Sequence, residues 1–528
     1  MNKTVTVMMM ILLLAGSLGL VFNIQPAKAE PLEPPATEWS KTYGGAGEDS
    51  AWSVAQTSDG GYIVAGSTTS FGAGNYDFWL VKTDAFGNME WNKTYGGPDD
   101  DRARSVLQTN DGGYMVAGST TSFYVGWSDA WLIKTDSNGN MQWNKTYGGG
   151  EQYSESATCI VQTIDGGYAF TGRRYVAGYA DFWLVKIDSN GNQLWTKTFE
   201  GAQGDESLSV AHTNDGGYII AGHTYSFGAY YGEIWLVKTD TNGNQQWGKT
   251  FRGQIGASAY SVRQANDYGY IITGTVDITF SNYDFWLIKT DSMGNMQWNK
   301  TYGGAQNDHA YCIVQTIDGG YAVAGGTSSF GAGLSDAWVV KADSSGNMQW
   351  SKTIGGTGGE VVFSIAQTRD SGLILAGSDA NADFWLIKVI ENNPPDIGIP
   401  SQNPPRDDVQ PHQNVTVSAN VTDAESGVKN ATLCYSLTNG TTWEAQIPMS
   451  QNATTSLYEA TISGQPIGIW VRFKIVAYDI AGNNATLDGT QPYCVYQVVP
   501  ELPLFLIPQL FMIASLLTVI VYKRKHLK

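Results

Sequence analysis

Between residues 38 and 390 apolar residues come in short runs, rich in Val, Ile, Trp, Tyr and Phe, separated by Gly, Asp, Asn and Ser. In the first copy the runs are SAWSVAQT (Ser50 to Thr57), GYIVAGST (Gly61 to Thr68), DFWLVKTD (Asp77 to Asp84) and MEWNKTYG (Met89 to Gly96). Each has the length and the β-branched and aromatic content of a strand. SDGG and AFGN separate the first from the second run and the third from the fourth. Such residues tolerate the positive φ of a tight hairpin turn. A longer loop, SFGAGNY, joins the second run to the third. The pattern predicts a unit of four strands, A to D.

The unit repeats. Asp-x-Trp-apolar-apolar-Lys recurs with Trp at 79, 131, 183, 235, 286, 338 and 385, the fourth copy carrying Glu233 for Asp. A second series, such as NMQWNKTYGG, places Trp at 39, 91, 143, 195, 247, 298 and 350. Repeats of this length with strand content are those of β-propeller blades. There are seven A-B-C sets and seven D strands, but the first D strand, around Trp39, precedes the first A strand. The last A-B-C set, ending near Val389, has no D strand after it. The expectation is an all-β, seven-bladed β-propeller over 38–390, closed by the N-terminal strand.

This repeat resembles the propellers of archaeal and bacterial surface proteins over roughly residues 38 to 390, and at a coarser level those of kelch proteins and quinoprotein dehydrogenases. TDSNGNMQW (Thr135 to Trp143) resembles the quinoprotein tryptophan-docking motif, with one residue fewer between Asp and Gly. Those enzymes have a larger ring and often an adjacent Cys pair at the cofactor. This chain offers neither, so the resemblance implies the fold and not quinone chemistry.

Two apolar runs lie at the ends. Lys3, the run Val5 to Phe22 and Ala27-Lys28-Ala29 read as a secretory signal over 1–29, cleaved before Glu30, with 30–37 a linker. Leu502 to Tyr522 has bilayer length and is followed by KRKHLK. It predicts a single C-terminal transmembrane helix over 502–522 with a cytoplasmic basic tail, 523–528. VPELP (Val499 to Pro503) with that run and tail also resembles the signals that archaeosortases process, which keeps anchor and sorting signal as two readings. Pro and Asn crowd the break after Glu391, a linker over 391–396. Short alternating strands over 397–499 predict an antiparallel sandwich. Its segments DAESGVKNATLCYS and VAYDIAGN resemble Ig-like or fibronectin-like modules of microbial surface proteins. SLTNGTTW (Ser436 to Trp443) resembles the Asp-box hairpin of sialidases, a turn device.

Charge and cysteines narrow the function. Lys+Arg 31 against Asp+Glu 49 gives −18, which excludes a nucleic-acid partner because phosphate contacts need a basic surface. Four Cys without CxxC exclude a disulfide scaffold and a zinc site. Cys159 and Cys312 take one place in blades three and six, where the other blades have Ser, and are expected to be free, buried thiols. Cys434 and Cys494 are either bridged or kept apart by an intervening strand.

Candidate chemistry falls on the face that carries the B–C loops and D-to-A connections, since loops vary there on a fixed scaffold. Trp127, Arg173, Arg174, Tyr175, Tyr179, Tyr230, Tyr231 and Tyr283 lie in or beside the B–C loops and suit stacking on sugar rings or gripping a protein segment. The once-per-blade Lys (Lys82 to Lys388) and Asp (Asp77 to Asp383) read as scaffold at the blade seams. The near-ring of Gln56, Gln108, Gln162, Gln264, Gln315 and Gln367, with His212, reads as an amide ladder. The DSNGN turn at Asp136 resembles the start of a calcium loop but lacks the distal Glu; no cofactor is expected, with calcium as the alternative, at such a turn or at acids of the D-to-A connections such as Asp99-Asp100-Asp101 and Asp205-Glu206. No Ser-His-Asp order, HExxH or phosphate loop is present. Asn414, Asn420, Asn430, Asn439, Asn452 and Asn484 in the stalk, and Asn92, Asn144 and Asn299 in D strands, are N-x-Thr glycosylation candidates. The expected protein is a membrane-anchored, cell-surface propeller that binds an extracellular glycan or protein ligand. A carbohydrate lyase or hydrolase and a structural surface-layer component are the alternatives.

Overall fold

The computed structural model describes residues 34–123, 127–148, 154–176, 178–228, 230–280, 282–390, 396–405, 409–422, 428–437, 443, 445–479, 484–487 and 495–497. The expected signal segment and the 502–522 segment lie outside the described residues. Among the described residues no helix is long and apolar enough to cross a membrane.

β1 (Thr37–Tyr43) is followed by β2 (Asp49–Gln56), β3 (Tyr62–Thr68), β4 (Asp77–Thr83) and β5 (Met89–Tyr95). β2 to β5 form one antiparallel four-stranded sheet in chain order, the A, B, C and D strands of blade one. Five further sheets repeat this order, beginning at Asp101, Glu155, Asp205, Ala257 and Asp308. In the seventh, Val361–Gln367, Leu373–Ser378 and Phe384–Val389 pair in order, and β1 supplies the outer strand with Trp39 opposite Lys388. The chain is therefore an all-β, seven-bladed propeller whose N-terminal strand completes the last blade.

Burial explains the four strand patterns. β3 and β4 are buried at every position because neighbouring blades cover both their faces. Their counterparts can therefore read as continuous apolar runs. β1, the outer strand of the last blade, alternates half-buried and exposed residues, as an edge strand facing solvent does. Each hydrophobic cluster of the propeller spans two blades: Ile63, Phe78 and Leu80 of blade one pack with Val106, Val116 and Trp131 of blade two.

Six of the seven D strands also clamp the C–D turn of the next blade. Tyr95 Oη donates to Gly139 O at 2.5 Å, and Tyr43, Tyr147 and Tyr302 do the same at Gly87, Gly191 and Gly346. The Trp91 ring lies where a Cβ on Gly139 would approach within 2.8 Å, and that glycine has φ +75°. The turn thus needs Gly twice over, for its backbone and for the ring that docks on it. The stretch resembling a tryptophan-docking motif does dock a tryptophan here, between blades.

The repeated lysines make ion pairs inside each blade, not at the seams where the sequence reading put them. Lys82 Nζ lies 2.9 Å from Asp59 in its own A–B turn, and all seven copies, from Lys82–Asp59 to Lys388–Asp370, fall between 2.5 and 2.9 Å. Burial works against ionisation of Asp59, but the Thr57 hydroxyl, the Lys82 ammonium and the Gly61 N–H outweigh it and hold the carboxyl down at about 2.

The region after the propeller has a β core of its own. Ser401–Asn403, Val415–Ala419 and Tyr458–Ile462 pair in that order. Val428–Ser436 lies between Ala445–Gln451 and Trp470–Asp479, which also pairs with Asn484–Leu487 and Val495–Gln497. Ala445–Gln451 pairs at its end with Tyr458–Ile462, and Val415, Val417, Leu433, Phe473 and Ile475 are fully buried between the strands. Cys434 is a buried free thiol. Cys494 lies outside the described residues, next to a strand that pairs with Trp470–Asp479 and not with the strand of Cys434.

Candidate functional site

The innermost strand of every blade is a sheet edge, so its outward N–H groups need partners from the next blade. A belt of hydroxyls and thiols supplies several of them. Ser53, Ser105, Ser209 and Ser364 accept from Val106 N, Ile160 N, Val262 N and Val54 N at 3.1 to 3.2 Å. Where Cys replaces Ser the direction reverses: Cys159 Sγ donates to Val210 O at 3.6 Å and Cys312 Sγ to Ile365 O at 3.8 Å. Both thiols are free, Cys312 buried and Cys159 only half-buried.

One residue before each belt position, every inner strand carries a β-bulge. In blade one Ala51 pairs with Gly66 and Ser53 with Ala65, which leaves Trp52 unpaired. The same shift recurs in all seven inner strands. A bulge re-aims its side chain. Here the bulged residues are Trp52, Arg104, Thr158, Leu208, Tyr260, Tyr311 and Phe363, and all seven line one cavity of about 460 Å³ at the channel mouth. That volume is in the range of small-ligand sites. A second cavity, about 450 Å³, lies beyond the belt and is lined in part by Gln108, Gln162 and His212.

The mouth is divided chemically. On one side Trp52 stacks on Phe363 at 4.1 Å, Phe363 meets Tyr311 at 5.1 Å, and Tyr311 meets Tyr260 at 5.2 Å. On the other side stand Arg104, Arg173 and Glu206. The Arg104 guanidinium lies 3.9 Å over the Trp52 ring. Burial, then the neighbouring Arg102, and also Arg173, pull its pKa down to about 10, against the opposing pull of Glu206. Arg173 Nη1 is 3.7 Å from Glu206, and His223 Nε2 is 3.9 Å from it. Arg173 Nε and His223 Nδ1 are buried without a hydrogen-bond partner. Burial holds the His223 pKa below its ordinary value, against the pull of Glu206.

Of the eight ligand-face residues expected from sequence, Arg173 lines this cavity. Tyr283 stands beside it, tilted against His309 at 5.3 Å, and His309 stacks in turn on Tyr311 at 6.3 Å. Arg174 turns to Glu155, at 3.7 Å. Arg173, Arg174 and Tyr175 belong to the strand Tyr168–Val176, and Tyr179 and Tyr283 open the strands Tyr179–Ile187 and Tyr283–Thr290, so these five lie in strands and not in loops. Trp127, Tyr179, Tyr230 and Tyr231 are exposed, Tyr230 at 84%. Tyr230 and Tyr231 pack edge to face at 4.8 Å, and Tyr231 does the same with Phe280 at 5.4 Å.

Other expected sites resolve into structural roles. The Gln amides bridge blades: Gln108 Oε1 accepts from Ser58 N at 2.7 Å, and its Nε2 donates to Gly112 O at 3.4 Å. Both Asp136 oxygens are taken by Asn138 N, Asn140 N and Asn140 Nδ2, so the DSNGN turn is organised as a hairpin. Asn92, Asn144 and Asn299 are exposed on D strands and accept from Trp79, Trp131 and Trp286 Nε1 at 3.3 Å. Asn414, Asn420 and Asn430 are exposed and Asn452 is half-buried. Asn439 and the Asn484 side chain lie outside the described residues.

No protein-family model and no curated protein matches the chain. Solved structures with some likeness include Sqt1 from Chaetomium thermophilum, 12% identical, with a TM-score of 0.39 over 67% of this chain and 100% of that one. A glucose dehydrogenase is 9% identical, with a TM-score of 0.36 over 67% of this chain and 100% of that one. A puromycin hydrolase is 11% identical, with a TM-score of 0.42 over 77% of this chain and 58% of that one. At such scores none of them bears on activity. The assignment to the seven-bladed propellers rests on strand order and register.

Proposed function

We propose that this protein is an exported, membrane-tethered receptor of the cell surface, a propeller on an Ig-like or fibronectin-like stalk. Its channel mouth takes the acidic, ring-bearing end of an extracellular glycan. The observation that carries this reading is Arg104. Among the described residues it has no carboxylate ion-pair partner, although it is partly withdrawn from water against Trp52. A half-buried cation without an anion is costly, and a ligand carboxylate would relieve that cost. The adjoining arc of Trp52, Phe363, Tyr311 and Tyr260 offers faces for a sugar ring.

Binding is favoured over hydrolysis by the count of acids. Glu206 is the one carboxylate among the described residues lining the cavity, whereas glycoside cleavage ordinarily uses two. The test is a glycan array probed with the full chain in detergent, followed by an assay for new reducing ends on each hit. Uronate-bearing oligosaccharides should be retained and neutral ones should not. Cleavage of a hit would replace the receptor by an enzyme, and retention of acidic peptides alone would replace the glycan by a protein.

A further inference from the structure

The seams between blades carry a second repeated feature. At five of them the residue that opens or directly precedes an inner strand is tied by its backbone to the chain just before the C strand of the preceding blade: Asp101 N donates to Tyr76 O at 2.6 Å, and Asp49 N to Ala382 O at 2.6 Å. This brings the acid that opens one inner strand beside the acid that opens the preceding C strand, Asp101 beside Asp77 and Asp49 beside Asp383. Asp77 and Asp101 are at most 1% exposed. One oxygen of each is used: Asp77 Oδ2 accepts from Ala73 N, and Asp101 Oδ2 from Gly97 N and Ser122 Oγ. The Oδ1 atoms of Asp77, Asp101 and Asp49 are buried and have no partner. Gly96 lies against the first pair: a Cβ there would overlap Asp77 Oδ1 and come within 2.8 Å of Asp101 Oδ2.

One seam acts as an internal control. Between blades four and five the inner-strand acid is replaced by Ala257, and the glycine by Arg252, whose Nε lies 3.6 Å from the remaining acid, Glu233. Where one carboxylate is gone, the chain supplies its own cation. Where both are present, no basic side chain stands at the glycine position, and only at the seam of blades two and three does a described Arg, Arg174, come near an inner-strand acid, 3.7 Å from Glu155.

We propose that the paired-carboxylate seams are sites for a hard divalent cation of the calcium class, each pinning two consecutive blades together. Among the described residues no three His, Cys, Asp or Glu side chains converge, so two carboxylates would be completed by carbonyl, hydroxyl or water oxygens. Such a site suits the weak affinity of extracellular modules, ~10⁻⁴–10⁻³ M. The full chain, stripped with chelator and titrated with CaCl₂ by calorimetry, should take up several equivalents and melt at a higher temperature. Asp77→Asn with Asp101→Asn should remove one equivalent. Arg252→Gly with Ala257→Asp should add one, which keeps the proposal testable if the first pair fails to fold. An unchanged stoichiometry in the second pair overturns it. So does a protein that ignores calcium up to ~10 mM and is stabilised by mild acid instead, since each pair would then be sharing a proton.

Discussion

The outer and inner strands of the blades obey opposite rules. Along the D strands a Trp recurs in all seven copies, six of them docked on a neighbour's Gly turn, and four copies end on a Tyr that donates to the carbonyl of that turn. At the inner bulge, one residue from an equally repetitive Ser or Cys belt, no more than two blades agree: Trp52, Arg104, Thr158, Leu208, Tyr260, Tyr311 and Phe363. The bulged residue is outside the ladder and lines the cavity, so the strand pairing does not dictate its identity. Repetition marks where neighbouring blades constrain a side chain, and variation marks where only a ligand would.

Substitutions that break this contrast should rank accordingly. Trp131→Ala removes a ring that is 1% exposed and packed on Phe78 at 4.7 Å, and should cost ~3–5 kcal/mol in denaturant unfolding. Gly139→Ala forces a Cβ onto the Trp91 ring at a positive φ and should cost about 1–3 kcal/mol by the same measurement. Tyr95→Phe deletes one hydroxyl bond to Gly139 and should cost ~1 kcal/mol. Tyr230→Ala should leave the melting temperature nearly unchanged, within roughly 0.5 kcal/mol, because its side chain is 84% exposed.

Acid titration probes the scaffold alone. Asp59, Asp111, Asp165 and Asp215 are held at about 2, below the unfolded carboxyl value. Their stabilisation should be fully present above ~pH 4 and be lost as pH falls toward 2. A melting temperature that stays flat over that window would contradict the ion-pair ring.

Blade number, strand order and closure were legible because the repeat is its own alignment: Trp39 lacks a preceding A strand, and the set ending at Val389 lacks a D strand. The bulge was not legible, since a run such as SAWSVAQT shows no register shift until its partner strand is known. A signal did exist in the variable residue between constant neighbours in SAWSV, RARSV, SATCI and SAYSV. Aromatic density drew attention instead to Tyr230 and Tyr231, which satisfy each other and Phe280. The seam acids were visible one by one, but Asp77 and Asp101 become partners only when two blades meet.

The account turns on whether the mouth, and not the exposed loop aromatics, holds the ligand. The dissociation constant of the best acidic glycan should therefore be measured on the full chain and on its Arg104→Gln and Tyr230→Ala variants. Loss of a charge-assisted bond is worth ~1.5–3 kcal/mol, so Arg104→Gln should weaken binding by about ten-fold or more while Tyr230→Ala leaves it unchanged. The opposite pattern, with Tyr230→Ala weakened and Arg104→Gln unaffected, would place the site on the loops and contradict the account.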